Sequence, residues 1–159
     1  MRIGQGIDIH RFAQTGDHIV IGGVFIPYHK SLIAHSDGDV LLHAICDSLL
    51  GAAALGDIGH HFPDSSAEFC GVDSRLLLRK SWQLVQDLGL NFANLDATIV
   101  AESPKMADYI MQMRKNIAAD LVCDVSQINI KATTSEKVGF IGRGEAIAAF
   151  ANVLLTTKS

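Results

Sequence analysis

The sequence predicts an α+β fold: a single mixed β-sheet with helices packed on one face, plus a β-hairpin. Three observations predict it. The opening MRIGQGIDIHRF alternates as a strand does, AIAAFANVLL near the end is a near-continuous apolar run suited to a buried central strand, and amphipathic helical stretches lie between them. The order reads β-β-β-α-α-β-α-β-β, which fits a sheet with its helices gathered on one side.

Each element has a local reason. In the first strand Ile7 and Ile9 fall on one side and Asp8 and His10 on the other, because a strand repeats its facing every second residue. HIVIGGVFIPYH holds two β-branched runs around Gly22-Gly23, a hairpin signal, and Pro27 places the second run at an edge or near its end. Ser36 or Asp37 is expected to cap a helix running to about Leu55, with Gly56 ending it. Asp39, His43 and Asp47, four apart, would line one face of that helix. A second helix is expected from an Asp73 cap to Gly89, packing through Leu77, Leu84, Val85 and Leu88. Leu95 to Ala101 reads as a strand stopped by Ser103-Pro104. A third helix, about Ala107 to Val122, packs through Ile110, Met113, Ile117 and Leu121. Gln127 to Thr133 alternates as a strand, and VGFIGRGE turns the chain into the last one.

Composition narrows the function. The 159 residues are most simply one domain, 1–159, large enough to bury a core. A net charge of -4 argues against a nucleic-acid partner, which would call for a basic face. A phosphorylated ligand would then be held by local cations or backbone amides. No apolar run reaches the roughly 20 residues that cross a bilayer, so no membrane partner is expected. The chain opens directly into a strand, so neither a signal nor a transit peptide is expected. Cys46, Cys70 and Cys123 are odd in number and widely spaced. They form no disulfide framework, and a reducing cytoplasm fits.

Asp8-x-His10 alone is a weak signal that reads first as a surface carboxylate beside a hydrogen-bonded histidine, and His43 alone reads first as a satisfied helix histidine. Together, two imidazoles and one carboxylate with an open fourth position make the donor set of a reactive zinc site. Asp47 or Asp39, one turn from His43, could accept its second N–H. His60-His61 is the rival pair, but adjacent loop residues rarely point at one ion. Asp57 and Asp64 serve either as caps and turns or in hydroxyl recognition of a polyol, with the Gly59 amide open to a phosphate. KATTSEKVGFIGRGE brings Thr133, Thr134, Ser135 and Arg143 beside a Gly-rich turn, the parts of a phosphate cradle, and Glu136 could hold a hard divalent ion. The alternative is a plain glycine hairpin. Ala101 to Met106 could rim a pocket, with Lys105 as a point charge toward phosphate. No side-chain nucleophile stands out. Were the attacking group a substrate phosphate, none would be needed.

GIDIH, the run HSDGDVLLHAICDSLLGAAALGDIGHHFPD, and KATTSEKVGFIGRGEAIAA together resemble the 2-C-methyl-D-erythritol 2,4-cyclodiphosphate synthase family. The resemblance covers essentially the whole chain. It implies a cytoplasmic bacterial enzyme of non-mevalonate isoprenoid synthesis. Such an enzyme converts 4-diphosphocytidyl-2-C-methyl-D-erythritol 2-phosphate into the cyclic diphosphate and CMP. It also implies one Zn²⁺ per chain on Asp8, His10 and His43, and a Mg²⁺ or Mn²⁺ on Glu136 at the substrate diphosphate. His35 and Thr134 would steady the transition state. Asp8, Ile9 and His10 would also bind substrate, and the methylerythritol phosphate side would be His35 and Ser36, Asp57, Ile58 and Gly59, and the loop Phe62, Pro63, Asp64, Ser65 and Ser66. The cytidine diphosphate side would be Ala101, Glu102, Ser103, Pro104, Lys105, Met106 and Ala107, with Thr133, Thr134, Ser135, Glu136, Phe140 and Arg143. The family is homotrimeric, which implies sheets facing a threefold axis and active sites between neighbouring subunits. Two departures are Ser135, where a third threonine is expected, and Ala146, where glycine is frequent. Rival readings on the same residues are a metal-dependent phosphohydrolase and a trimeric diphosphate-binding module without turnover.

Overall fold

The computed structural model describes residues 1–63 and 71–157. The strands are β1 (Arg2–Arg11), β2 (His18–Ile21), β3 (Val24–Pro27), β4 (Leu90–Val100), β5 (Ile128–Thr133) and β6 (Ala146–Thr157). The helices are α1 (Val40–Ala53), α2 (Ile58–His61), α3 (Ser74–Asp87), α4 (Ile110–Leu121) and α5 (Gly139–Gly142). Four strands form one mixed sheet in the order β1-β6-β4-β5, and β2-β3 is a separate hairpin. The apolar run of β6 is central, as its composition predicts.

β6 runs antiparallel to both β1 and β4, while β5 is parallel to β4. β1, β4 and β5 therefore point the same way, and the segments that follow them emerge at one end of the sheet. Arg2 pairs with Leu155 at the opposite end, so the two chain termini lie side by side there.

One face of the sheet is the core. Leu95, Ala97 and Ile99 of β4, Ile128 and Ile130 of β5, and alternate residues of β6 from Ile147 to Leu155 are buried there against the long helices. The opposite face carries Ile3, Ile7 and Ile9, which are 75%, 47% and 48% exposed. Leu154, Phe150 and Ala148 are their cross-strand partners.

α1 is buried on nearly every side, and only His43, Asp47 and Gly51 escape full burial. Spaced by four, they form a narrow polar seam along an otherwise apolar helix. Two strand glycines let that helix come close. A Cβ on Gly4 would lie 1.9 Å from the Ser48 carbonyl oxygen, and one on Gly6 would lie 1.9 Å from that of Ala44. Gly4 and Gly6 share the inner face of β1 with Asp8 and His10. The contact that seats α1 on β1 thus brings His43 down beside those two side chains.

Several sequence expectations need correction. The α1 cap is Asp39, not Ser36 or Asp37. Its buried carboxylate accepts the Leu42 amide together with those of Gly22 and Gly23 at 2.9 and 2.7 Å, joining the hairpin turn to the helix start. Burial pushes the Asp39 carboxyl pKa up, an effect only partly offset by the backbone amides of Gly23 and Leu42. Ala54, at φ 60°, ends α1 before Gly56 is reached. In α3 the inner stripe includes Leu78 and Trp82 with Leu77 and Val85, while Leu88 is 52% exposed. β4 starts at Leu90, with an irregularity at Ala93 that leaves its two halves in different registers. α4 starts at Ile110, and the stretch read as a simple turn contains α5. Asp73 does cap α3, as expected.

Asp120 of α4 is buried and ion-paired to Arg75 and Arg79 of α3, clamping the two helices. Cys46 and Cys123 are free thiols, and burial pushes Cys46 up to about 12. Cys70 lies outside the described residues. Among those described, no helix is long and apolar enough to cross a membrane.

Candidate functional site

Asp8, His10 and His43 converge. Asp8 Oδ2 lies 2.9 Å from His10 Nε2 and 3.0 Å from His43 Nδ1, and the two nitrogens are 3.2 Å apart. Ligands held at ~2.0 Å around a tetrahedral ion sit ~3.3 Å from one another, so the triangle matches three corners of such a site.

The protonation pattern fits a cation more closely still. Residues 31–33 run beside the end of β1, with the Ile33 amide on the Arg11 carbonyl. This places the Ile33 carbonyl 3.2 Å from His10 Nδ1, so Nδ1–H donates there and Nε2 is left as a lone pair. At His43 the Nε2 atom meets Ser74 Oγ at 2.9 Å and Ser36 Oγ at 3.2 Å. Ser74 gives its own hydroxyl proton to Asp37 Oδ1 at 2.5 Å, and its amide donates to Asp37 Oδ2 at 2.9 Å. Ser74 must then accept from His43, which fixes the proton on Nε2 and leaves Nδ1 as a lone pair. Three lone pairs therefore face one point. Only added protons or a metal ion resolve that arrangement, and the donor set is the one zinc takes.

The titration of the metal-free triangle reflects the same crowding. Burial works to raise Asp8, but hydrogen bonds and charge from His10 and His43 outweigh it and hold the carboxyl far below the usual range. For His10, burial works downward, yet Asp8 prevails and raises it above the ordinary imidazole value.

A cavity of about 270 Å³ opens at the ends of β4 and β5. It is lined by Ile99, Ala101, Glu102, Pro104, Lys105, Met106, Ala107, Ala132, Thr133 and Thr134. Ser103-Pro104 is a cis peptide. Asp8, Ala149, Ile99 and Ala132 share one sheet level across β1, β6, β4 and β5. The Asp8–His10–His43 triangle and the cavity thus lie on the same face at the same end of the sheet, with β1 and β4 about 10 Å apart at two strand spacings.

The comparisons decide the relationship. The YgbB family model matches residues 1–156. The chain belongs to the YgbB family. A 2-C-methyl-D-erythritol 2,4-cyclodiphosphate synthase of Azotobacter vinelandii is 61% identical over 155 residues, covering 98% of each chain. The structure described as the bifunctional IspDF from Campylobacter jejuni superposes with TM-score 0.95 at 42% identity over 99% of this chain, which spans 42% of that longer protein. The structure described as IspF (Plasmodium falciparum) CDP complex gives TM-score 0.87 at 38% identity, covering 99% of this chain and 97% of that one.

Several expected site residues of this YgbB chain fall into place around these two features. Ser36 joins the metal triangle through His43. Ala101, Glu102, Pro104, Lys105, Met106, Ala107, Thr133 and Thr134 meet in the cavity although the two segments are remote in sequence. Asp57 caps α2 by accepting the His60 amide, and Asp47 accepts the Ile58 amide at 2.7 Å, tying the 57–59 turn to α1. Neither Asp47 nor Asp39 accepts from His43, and that place belongs to Ser74 and Ser36. His61 is directed to the Leu55 carbonyl. His35 is exposed on the loop before α1.

Thr134 Oγ1 donates to the Glu136 carboxylate. Phe140 lies apart from the 270 Å³ cavity, bordering another of about 390 Å³ with Ile9, Arg11, Glu145 and Ala146. Arg143 pairs with Glu145 at 2.6 Å. Asp64, Ser65 and Ser66 lie outside the described residues. The YgbB residues that sequence reading missed are Asp37 and Ser74. Ser74 stands directly after the Asp73 cap, a position that reads as helix-start chemistry and hides a second use.

Proposed function

We propose that this chain converts 4-diphosphocytidyl-2-C-methyl-D-erythritol 2-phosphate to 2-C-methyl-D-erythritol 2,4-cyclodiphosphate and CMP, in non-mevalonate isoprenoid synthesis. The observation that carries this reading is the convergence of three lone pairs on one point, beside a cavity built from the β4 and β5 loops. The relatives named as synthases of this cyclic diphosphate support it, as does the neighbouring structure described with CDP.

The cavity would take the cytidine end of the substrate. Lys105 would meet phosphate as a point charge, and Thr133 and Thr134 line the same cavity. Asp57, Ile58, Gly59, His35 and Ser36 would border the methylerythritol phosphate. The 2-phosphate oxygen forms a bond to the β-phosphorus while the bond from that phosphorus to the CMP oxygen breaks in line, and CMP leaves with the electron pair. The attacking oxygen is already anionic, so the chain provides alignment and charge stabilisation rather than a base. His35 and Thr134 are assigned to hold the phosphoryl oxygens through that passage. Asp8, His10 and His43 would hold one Zn²⁺ per chain, which when bound acts as a Lewis acid toward a phosphoryl oxygen. Glu136 would hold a Mg²⁺ or Mn²⁺, ions that accept one carboxylate together with substrate phosphates.

The working form we assign is a homotrimer with its sheets toward the threefold axis. The exposed Ile3, Ile7 and Ile9 support that reading, since an apolar strand face this open marks an association surface. The assigned location is the bacterial cytoplasm.

Phosphorus NMR of the products tests the reaction. A cyclic diphosphate appearing with CMP in equal amounts is expected. Linear phosphate release would replace the proposal with hydrolysis, and no CMP release would leave only a binding protein.

A further inference from the structure

Glu136 and Lys137 are consecutive non-glycine residues at φ 53° and 64°, the left-handed region. Each such residue is held at a cost and persists only where its surroundings over-determine it. The turn closes on itself through the Val138 amide and the Ser135 carbonyl at 3.0 Å, and one side chain from another segment grips it. Glu102 Oε1 accepts the Ser135 amide at 3.1 Å, the Ser135 hydroxyl at 3.1 Å and the Lys137 amide at 3.2 Å. Its Oε2 pairs with Lys137 Nζ at 2.8 Å, and the carboxylate side chain is only 8% exposed. The backbone of residues 135–137 therefore forms a nest of amides, and Glu102 fills it from within the protein.

We infer that Glu102 is a positioning residue that ties the two rims of the nucleotide cavity together. It belongs to the segment after β4 that includes Lys105 and Met106. The loop it grips follows β5 and carries Thr134 and Glu136. Its carboxylate is committed to protein amides, which argues against direct contact with substrate. By fixing Ser135 and Lys137 it sets the direction of the residue between them, Glu136, and of Thr134, which bonds to Glu136. The Lys137 side chain is 79% exposed, and a solvated ion pair contributes little. The grip thus comes from the amides.

The inference rests on the reading of this cavity as the cytidine diphosphate site. Calorimetric titration with CDP and Mg²⁺ tests it, alongside zinc content and circular dichroism at the same temperature. Glu102→Ala is expected to weaken CDP about tenfold or more with zinc content unchanged. Glu102→Gln, whose carbonyl still accepts, should recover part of the loss. Lys137→Met should stay within about twofold of wild type. Wild-type protein that does not bind CDP would overturn the cavity reading itself. Wild-type binding with Glu102→Ala equally tight would overturn the role of Glu102 alone. Should the alanine variant not fold, the ranking of Glu102→Gln against Lys137→Met decides. Lys137→Met as damaging as Glu102→Gln would show that the ion pair, not the amide nest, holds the loop.

Discussion

His10 and His43 each give one N–H to the protein, to the Ile33 carbonyl and to Ser74, and turn the other nitrogen toward Asp8. Two predictions follow from that division. Ser74→Ala removes the nearer of the two hydroxyls that orient His43, and loss of such an outer partner typically costs 10- to 100-fold in metal affinity. A chelator competition should show a loss of about that size in a folded protein, and unchanged affinity would refute the relay. The second concerns pH. Asp8 raises the His10 pKa above its ordinary value, so near neutrality an incoming metal must displace a proton. Apparent affinity should therefore rise about tenfold per pH unit and level off once pH passes the raised His10 value. It should fall away on the acid side. A flat profile between about pH 6 and 8 would remove His10 from the ligand set. The convergence of Asp8, His10 and His43 was legible because two share a strand face and the third lies in the first turn of a helix. The relay was not, because Ser74 and Asp37 are 37 residues apart and nothing local in either marks the pair.

At the scale of elements, the seating of α1 on β1 decides the site. Gly6→Ala would drive a methyl into the Ala44 carbonyl, backbone that cannot yield without moving the helix. Overpacking of this kind costs about 1–3 kcal/mol, and metal content should fall along with the melting temperature. Gly51→Ala offers the contrast. Its Cβ would meet nothing closer than the Gln5 carbonyl at 3.8 Å, and alanine in a helix is worth about 0.5–1 kcal/mol over glycine. It should raise the melting temperature and leave the metal alone. Equal effects from the two would show that the close approach is not what limits β1. The long helices and strands were readable from their periods. α2 and α5, four residues each, were not, since a single turn displays no period. The cap of α1 was misplaced for another reason. Within Ser36-Asp37-Gly38-Asp39 all three polar residues are good caps locally, and the choice is made by the distant Gly22 and Gly23 amides that need a carboxylate.

For the whole molecule, the exposed isoleucine row on the outer sheet face is where the proposed trimer is tested. Ile7→Glu would place charge in the centre of the exposed isoleucine row, opposite Phe150. Sedimentation should show the proposed trimer replaced by smaller species that still take up a metal at Asp8, His10 and His43 while turnover drops. An unchanged mass would mean that subunits meet elsewhere. Sheet order was only half legible. The apolar run of β6 announced a central strand, but its insertion between β1 and β4 depends on pairings across more than a hundred residues, which no local pattern encodes.

The paired positions Arg2 and Leu155 have a practical corollary. Eight residue steps along β1 lead from Arg2 to His10, a span of about 26 Å at strand rise. A purification handle or a second catalytic unit grafted at either terminus would project from the pole remote from substrate entry. A fusion joined beside Arg2 is thus expected to leave the Asp8–His10–His43 triangle undisturbed.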